Sequence, residues 1–236
     1  MNNWWKTLVF IIVAAVLTRW IPYSNFFRNV DTLIHEFGHA VMTLLFSGKV
    51  VYIHLFADHS GVTYSTVHEA WRFIPISLAG YTASALVAYI LFKLYRLNRM
   101  RTGLIMITLI TVINLAFFVR NEFGLLWCAG FIVLNVLFYI QPWIWLLQGY
   151  YLLIAFILMV ESIISPITLI LIAVQQPLHA GDATNLQQAT GIPSILWALL
   201  FFFISACFAR MSMGAFLGKN GRHRGYSRRR SSSSYR

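Results

Sequence analysis

Acidic residues are scarce in this 236-residue chain, with seven Asp and Glu against eighteen Lys and Arg, and only 11% of all residues are charged. A water-soluble domain carries roughly 25% charged residues, whereas here 59% are hydrophobic and the mean hydropathy is +0.70. Too few polar groups are present to coat a water-facing surface, which excludes an ordinary soluble domain. Cysteine is sparser still. Cys128 and Cys207 each stand alone in an apolar run, so neither a disulfide framework nor a thiolate metal site is indicated, and both read as small buried hydrophobes.

The positive charge is unevenly spread. Eight cations, Arg210, Lys219, Arg222, Arg224, Arg228, Arg229, Arg230 and Arg236, fall in the last 27 residues, where no acid occurs. From Gly214 the chain is rich in Gly, Arg and Ser, a composition expected to be disordered. With no fold and only Tyr226 and Tyr235 as aromatics, this tail gives no support for nucleic-acid binding. It reads as a cytoplasmic anchor drawn to anionic lipid. The expected organisation is a polytopic membrane domain over residues 1–213 followed by a disordered basic tail over 214–236.

What fills the body is apolar sequence. About 20 helical residues cross the roughly 30 Å hydrocarbon layer, and seven apolar segments are present, at 8–21, 33–46, 73–94, 103–119, 123–140, 143–174 and 192–209. They predict an all-α polytopic membrane protein with about six to seven membrane helices, multi-pass in the cell membrane. Lys6 precedes the first segment, but Arg19 and Trp20 stand where a signal peptide would have small residues, so it reads as an uncleaved helix. Between the second and third segments, Val51, Ile53 and Leu55 alternate with Tyr52, His54 and Phe56 ahead of a turn at Asp58–Gly61, which predicts a β-hairpin. A second non-helical stretch, from Gln175 to Pro193, is expected to hold a short helix after Asp182. Gly80, Ser84 and Ala88 recur at four-residue spacing in the third segment and predict close helix packing.

One block carries chemistry. His35-Glu36-Phe37-Gly38-His39 opens the second apolar segment. On a helix, imidazoles at i and i+4 share a face and can grip one Zn²⁺, while the intervening glutamate takes a proton from a water that the metal has acidified. Three ionisable residues within five positions of an apolar helix are expensive, about 2.5–3.5 kcal/mol for a central carboxylate alone. A catalytic zinc keeps three protein ligands and an open position. The metzincin pattern is excluded, since Met42 and Leu45 stand where it requires Gly and His. Asp182 is the favoured third ligand, although Asp before Ala-Thr-Asn-Leu is also a good helix N-cap. Glu69 is a weaker candidate and His179 a reserve. Asn114 and Asn135 are read as interhelical hydrogen-bonding residues in preference to the lining of a wet cavity.

HEFGHA on an apolar helix, the hairpin GKVVYIHLFADHSGVTYS, SLAGYTASA opening the next helix, and GDATNLQQATGIP near the end together resemble the site-2-protease family of intramembrane zinc metallopeptidases. GDATNLQQATGIP is similar to the bacterial members in which such a segment replaces the commoner Leu-Asp-Gly or Pro-Asp-Gly; Ala183 stands where that motif has Gly. The resemblance implies zinc held by His35, His39 and Asp182, Glu36 as catalytic base, and membrane proteins as substrates cleaved in or near their membrane-spanning segments. A proteolytically inactive zinc-binding scaffold would share every feature except a need for Glu36. A transporter would instead spread its charges over several helices.

Charge bias places the tail and the Lys93, Arg96, Arg99, Arg101 cluster on the cytoplasmic side, and Asp182 then falls near the outer side. His35, read as the start of its helix, reaches Asp182 only if that helix enters from outside. The third segment would then run the wrong way. A re-entrant second segment and hairpin, or a deep Asp182 loop, would remove the conflict, and charge counts do not choose between them.

Overall fold

The polar residues ahead of His35 do not delay the helix that carries it. In a computed structural model, which describes the backbone of residues 24–232 and the side chains of 25–218, helix α1 spans Ser24–Leu45. The apolar segment at 33–46 is only its second half. Arg28, in the first half, is held by Glu161 of helix α5 (Ile144–Gln175): its Nε and Nη2 donate to the two carboxylate oxygens at 2.7 and 3.1 Å. The bidentate fork satisfies both charges at once, which is what permits them inside a bundle whose other surfaces are apolar.

Strands β1 (Lys49–Leu55) and β2 (Gly61–Thr66) form the expected hairpin, pairing Tyr52 with Tyr64, Ile53 with Thr63 and Leu55 with Gly61. Ile53 and Leu55 are fully buried but Val51 is exposed, because a bulge between Val50 and Tyr52 shifts the alternation. The outer edge of β1 is occupied. Ile53 bridges Val119 in parallel, Arg120 N donates to Ile53 O, and the Asn121 amide both donates to Leu55 O and accepts from Leu55 N. Among the described residues no strand pairs with the far edge of β2.

The remaining helices are α2 (Phe73–Arg96), α3 (Met100–Ile113, closed by a π-helical turn at Asn114–Phe118), α4 (Glu122–Ile140), α5, α6 (Gly181–Thr190) and α7 (Ser194–Ser232). Among the described residues five stretches are long and apolar enough to cross a membrane, Ala70–Arg96, Met100–Phe118, Glu122–Ile140, Ile144–Gln175 and Ser194–Gly218. The chain is a multi-pass, all-α membrane protein with one small hairpin. The segment at 8–21 lies outside the described residues. Helix α2 is central, packed against α1, α5, α6 and α7.

Three particulars differ from expectation. Helix α7 continues past Gly214, where disorder was expected, with Ala215 buried and Phe216 stacked on Tyr95 at 5.7 Å, so the ordered core reaches beyond residue 213. Cys128 is buried but Cys207 is exposed on α7. Asn135 accepts a bond from the Tyr150 hydroxyl across helices, as expected, whereas Asn114 donates to Ile110 O within its own helix and there opens the π-turn.

The topological conflict disappears once α1 begins at Ser24. Ser84 donates to Asp31 O, His39 reaches Ile76 O, and Arg72 donates to Phe46 O, so α1 climbs as α2 descends. His35 is in mid-helix, on its way toward the end where α2 starts. The hairpin then dips back into the molecule, its turn placed beside Thr32 by the bond from the Thr32 hydroxyl to His59 O at 2.7 Å. It is re-entrant, and β2 returns to the level from which α2 begins. Counted as single crossings from there, the α2–α3 connection and the end of α7 fall on one side.

Removing one member of the Arg28–Glu161 pair leaves the other charge stranded. Glu161→Ala is expected to destabilise the protein by about 3 kcal/mol, read as a lowered midpoint of thermal unfolding in detergent. The double variant Arg28→Met/Glu161→Leu is expected to be clearly more stable than Glu161→Ala alone.

Candidate metal centre

Helical spacing brings His35 and His39 to one face of α1, with ring centroids 4.7 Å apart and Nε2 atoms 3.0 Å apart. The Nδ1 of His39 lies 2.7 Å from Ile76 O. A carbonyl only accepts, so Nδ1 carries the proton and Nε2 of the neutral ring presents a lone pair. Asp182 approaches from the other side. Its Oδ2 stands 3.2 Å from each Nε2, and these three residues form a group able to hold a metal.

Asp182 is aimed by its local backbone. Gly181 has φ +46°, in the left-handed region that side chains resist, and the turn there starts α6. The Thr184 hydroxyl donates to Pro177 O and accepts from Ala180 N, fixing the same turn. Helix α6 begins two residues earlier than expected, with Ala180 as its cap, so Asp182 sits in the first turn and is no N-cap. There its negative charge is favoured by the positive end of the helix dipole.

The donor set fits a zinc ion. Two imidazole lone pairs and a carboxylate oxygen converge at 3.0–3.2 Å, close to the roughly 3.3 Å that separates ligands about 2.0–2.1 Å from a tetrahedral zinc. A divalent cation satisfies all three acceptors together. The backbone of α2 leaves room for it at Gly80, where an added Cβ would lie 2.5 Å from His35 Nε2 and 2.7 Å from His39 Nε2. Sequence reasoning treated Gly80 only as a packing residue; its conspicuous signal, SLAG opening a helix, gave no hint that it faces the imidazoles. Tyr81 meets His35 edge-on at 4.6 Å and stacks on Phe201 of α7.

The group opens into a cavity of about 300 Å³ between α1, β2, α2 and α6. Glu36 lines it, 6% exposed, and its Oε2 accepts a 2.7 Å bond from the Thr63 hydroxyl. Ser65, Ser77 and Asn185 add polar groups, while Phe73, Ile76 and Tyr81 form an apolar wall. None of these was singled out from the sequence. A larger crevice of about 480 Å³ lies on the opposite face of α1, lined by Ile34, Phe37, Val41 and Leu86, and carries none of this chemistry.

Other candidates lie elsewhere. Glu69 is exposed, where a bond from the Trp71 indole and the Arg72 guanidinium 3.2 Å away hold its carboxyl below the usual carboxylate range. His179 is exposed in the 3-10 turn Pro177–His179 and does not join the group. Asn114 and Asn135 do not line this cavity.

A multi-pass bundle with paired helical histidines, a facing aspartate and an adjacent glutamate has the makings of a membrane-embedded metallopeptidase. The family model described as Peptidase M50B-like matches residues 8–212, and the chain belongs to that family. The match bears out the resemblance to the site-2-protease family. No curated protein matches the chain, and no solved structure does.

Filling the space at Gly80 tests the geometry directly. Gly80→Ala is expected to weaken zinc binding by about 10- to 100-fold, with helicity by circular dichroism unchanged. Metal analysis after equilibration with graded chelator checks this, and Asp182→Ala is expected to lose zinc in the same assay.

Proposed function

We propose that the protein is a zinc-dependent endopeptidase that hydrolyses peptide bonds in or near membrane-spanning segments of other membrane proteins. The observation that carries this reading is the convergence of the His35, His39 and Asp182 ligand atoms in the cavity that the Glu36 carboxylate lines. In this reading His35, His39 and Asp182 hold the zinc. When bound, zinc supplies Lewis acidity, polarising a carbonyl and lowering the pKa of a water to about 7. Glu36 is the general base: its carboxylate would take a proton from the water whose oxygen bonds to the peptide carbonyl carbon, and would deliver it to the amine nitrogen as the C–N bond breaks. The open edge of β2 receives the substrate as an added strand, which holds a locally unwound segment extended beside the base. Backbone groups of that kind are tolerated at membrane depth only where they are buried in protein or line a wet cavity, and β2 borders one.

An inactive scaffold would need the three ligands but not a carboxylate opening into the same cavity, so Glu36 favours the enzyme. Orientation follows from the shared side of the α2–α3 connection and the end of α7. Lys93, Arg96, Arg99 and Arg101 lie in and around that connection, and we place them with the basic tail on the cytoplasmic side, where the tail contacts anionic lipid at roughly 1 kcal/mol per cation near the surface. The metal group is then nearer the outer side, level with Ile76 and Gly80, roughly 6–12 Å along α2 from Arg72 at 1.5 Å per residue.

Casein in detergent is a suitable probe, being an unfolded polypeptide able to add as a strand. Zinc-loaded protein is expected to cleave it, and Glu36→Gln is expected to retain zinc while turnover falls at least about 100-fold. Undiminished cleavage by that variant would remove Glu36 from the mechanism.

A further inference from the structure

Glu36 is gripped by one short piece of β2. Gly61 and Thr63, two residues apart on the same face of the strand, bracket its side chain. A Cβ at Gly61 would lie 2.9 Å from Glu36 Cγ and 3.0 Å from Oε1, so the carboxylate rests against bare backbone there. Thr63 supplies the directional contact. Its hydroxyl is 2.7 Å from Glu36 Oε2 and 3.1 Å from Glu36 O. One hydroxyl has one proton to give, and the shorter contact, to the charged group, takes it.

Thr63 is itself rigidly placed. It pairs in the ladder with Ile53, which is fully buried and bridged to Val119, while Gly61 pairs with Leu55, whose backbone is clamped by the Asn121 amide. The hydroxyl therefore hangs from a backbone anchored on its inner side, and among the described residues no strand pairs with the other edge.

We propose that Thr63 is a positioning residue for the base: its hydroxyl fixes one oxygen of the Glu36 carboxylate and turns the other, Oε1, toward the cavity. The same strand thereby does two jobs, and a peptide added to the β2 edge is held in register with the base by the backbone that carries Thr63. This rests on the peptidase reading above, in which Glu36 handles the proton. A carboxylate freed from Thr63 still occupies the cavity but samples other rotamers, and misplacement of about 1 Å in such a group costs about 100-fold in rate. The loss falls on turnover and spares binding, because Thr63 touches the base and not the metal ligands.

The test uses the full-length protein, zinc-loaded in detergent, with casein as the probe. Thr63→Val, which keeps the shape and removes the hydroxyl, is expected to lower kcat by about 10- to 100-fold with KM within about twofold and zinc content unchanged. Thr63→Ser is expected to restore turnover. A second readout is independent of activity: in protein carrying ¹³C-carboxyl-labelled glutamate, the infrared band of Glu36 is the one lost in Glu36→Gln. That band is expected to shift in Thr63→Val and to return in Thr63→Ser. Wild-type turnover with an unmoved band in Thr63→Val overturns the assignment, as does a loss confined to KM or one that Thr63→Ser fails to repair. If the wild-type protein leaves casein intact, or Glu36→Gln cleaves it, the peptidase reading falls instead, and the infrared band alone decides whether Thr63 holds the carboxylate.

Discussion

At Gly80 the backbone of α2 comes so near to α1 that no side-chain carbon fits between it and the two imidazoles. Much of the site depends on that approach. It sets Ile76 O at bonding distance from His39 Nδ1, which fixes the tautomer and turns Nε2 toward Asp182. It also allows Gly38 of α1 to lie against Ala79 and Ala83, where a Cβ would meet Ala83 Cβ at 2.8 Å and Ala79 O at 2.9 Å. In lipid, where apolar surface gains little by leaving one apolar medium for another, close contact of this sort is the main force holding helices together. Packing and chemistry therefore use the same run of small residues. A bulkier residue at Gly80 disturbs both.

The few acids each have a distinct way of being tolerated. Glu161 is neutralised by the Arg28 fork, and Asp182 faces two imidazoles at a helix N-terminus. Glu36 accepts a hydrogen bond from the Thr63 hydroxyl of β2 and faces a cavity. Glu122 sits in the first turn of α4, where the dipole favours it, and Asp58 accepts from Ser60 at the hairpin turn. Glu69 lies outside the spans. Asp31, buried against α2 with Oδ1 unpartnered, is answered by the nearby Arg28 and His35. An apolar bundle does not forbid carboxylates; it forbids carboxylates with nothing to answer them.

That rule also marks where sequence reasoning succeeded. The i, i+4 histidines, the hairpin and the short helix between Gln175 and Pro193 are local patterns, legible because a few neighbouring residues determine them. The start of α1 was not legible: Asn25, Arg28, Asn29 and Asp31 fall in the polar gap between the segments at 8–21 and 33–46, and the partner that answers Arg28 is 133 residues away. The misplaced helix start then generated the false topological conflict, since it put His35 at an entrance when it lies in mid-helix. Thr63, and Gly80 beyond its part in helix packing, escaped notice for the same reason. Their significance lies in what they touch, and contact across elements leaves no mark in composition or spacing. Asp182 was found because acids are rare, although its role as a cap was undone by a helix that begins two residues sooner.

The re-entrant hairpin follows from the same constraint. A peptide bond can be hydrolysed inside a bilayer only if the backbone around it leaves its helix, and the freed N–H and C=O groups then need partners where no bulk water is available. A strand with an open edge supplies those partners in a line, but such an edge facing lipid would itself be unsatisfied. Here β1 seals one edge through Ile53, Val119 and Asn121, and the other borders the polar cavity. The hairpin turn reaches down to Thr32, so β2 passes Glu36 on its way back. The dip that the topology requires is therefore also what carries a strand edge to the level of Glu36, and a hairpin lying flat at the surface would do neither.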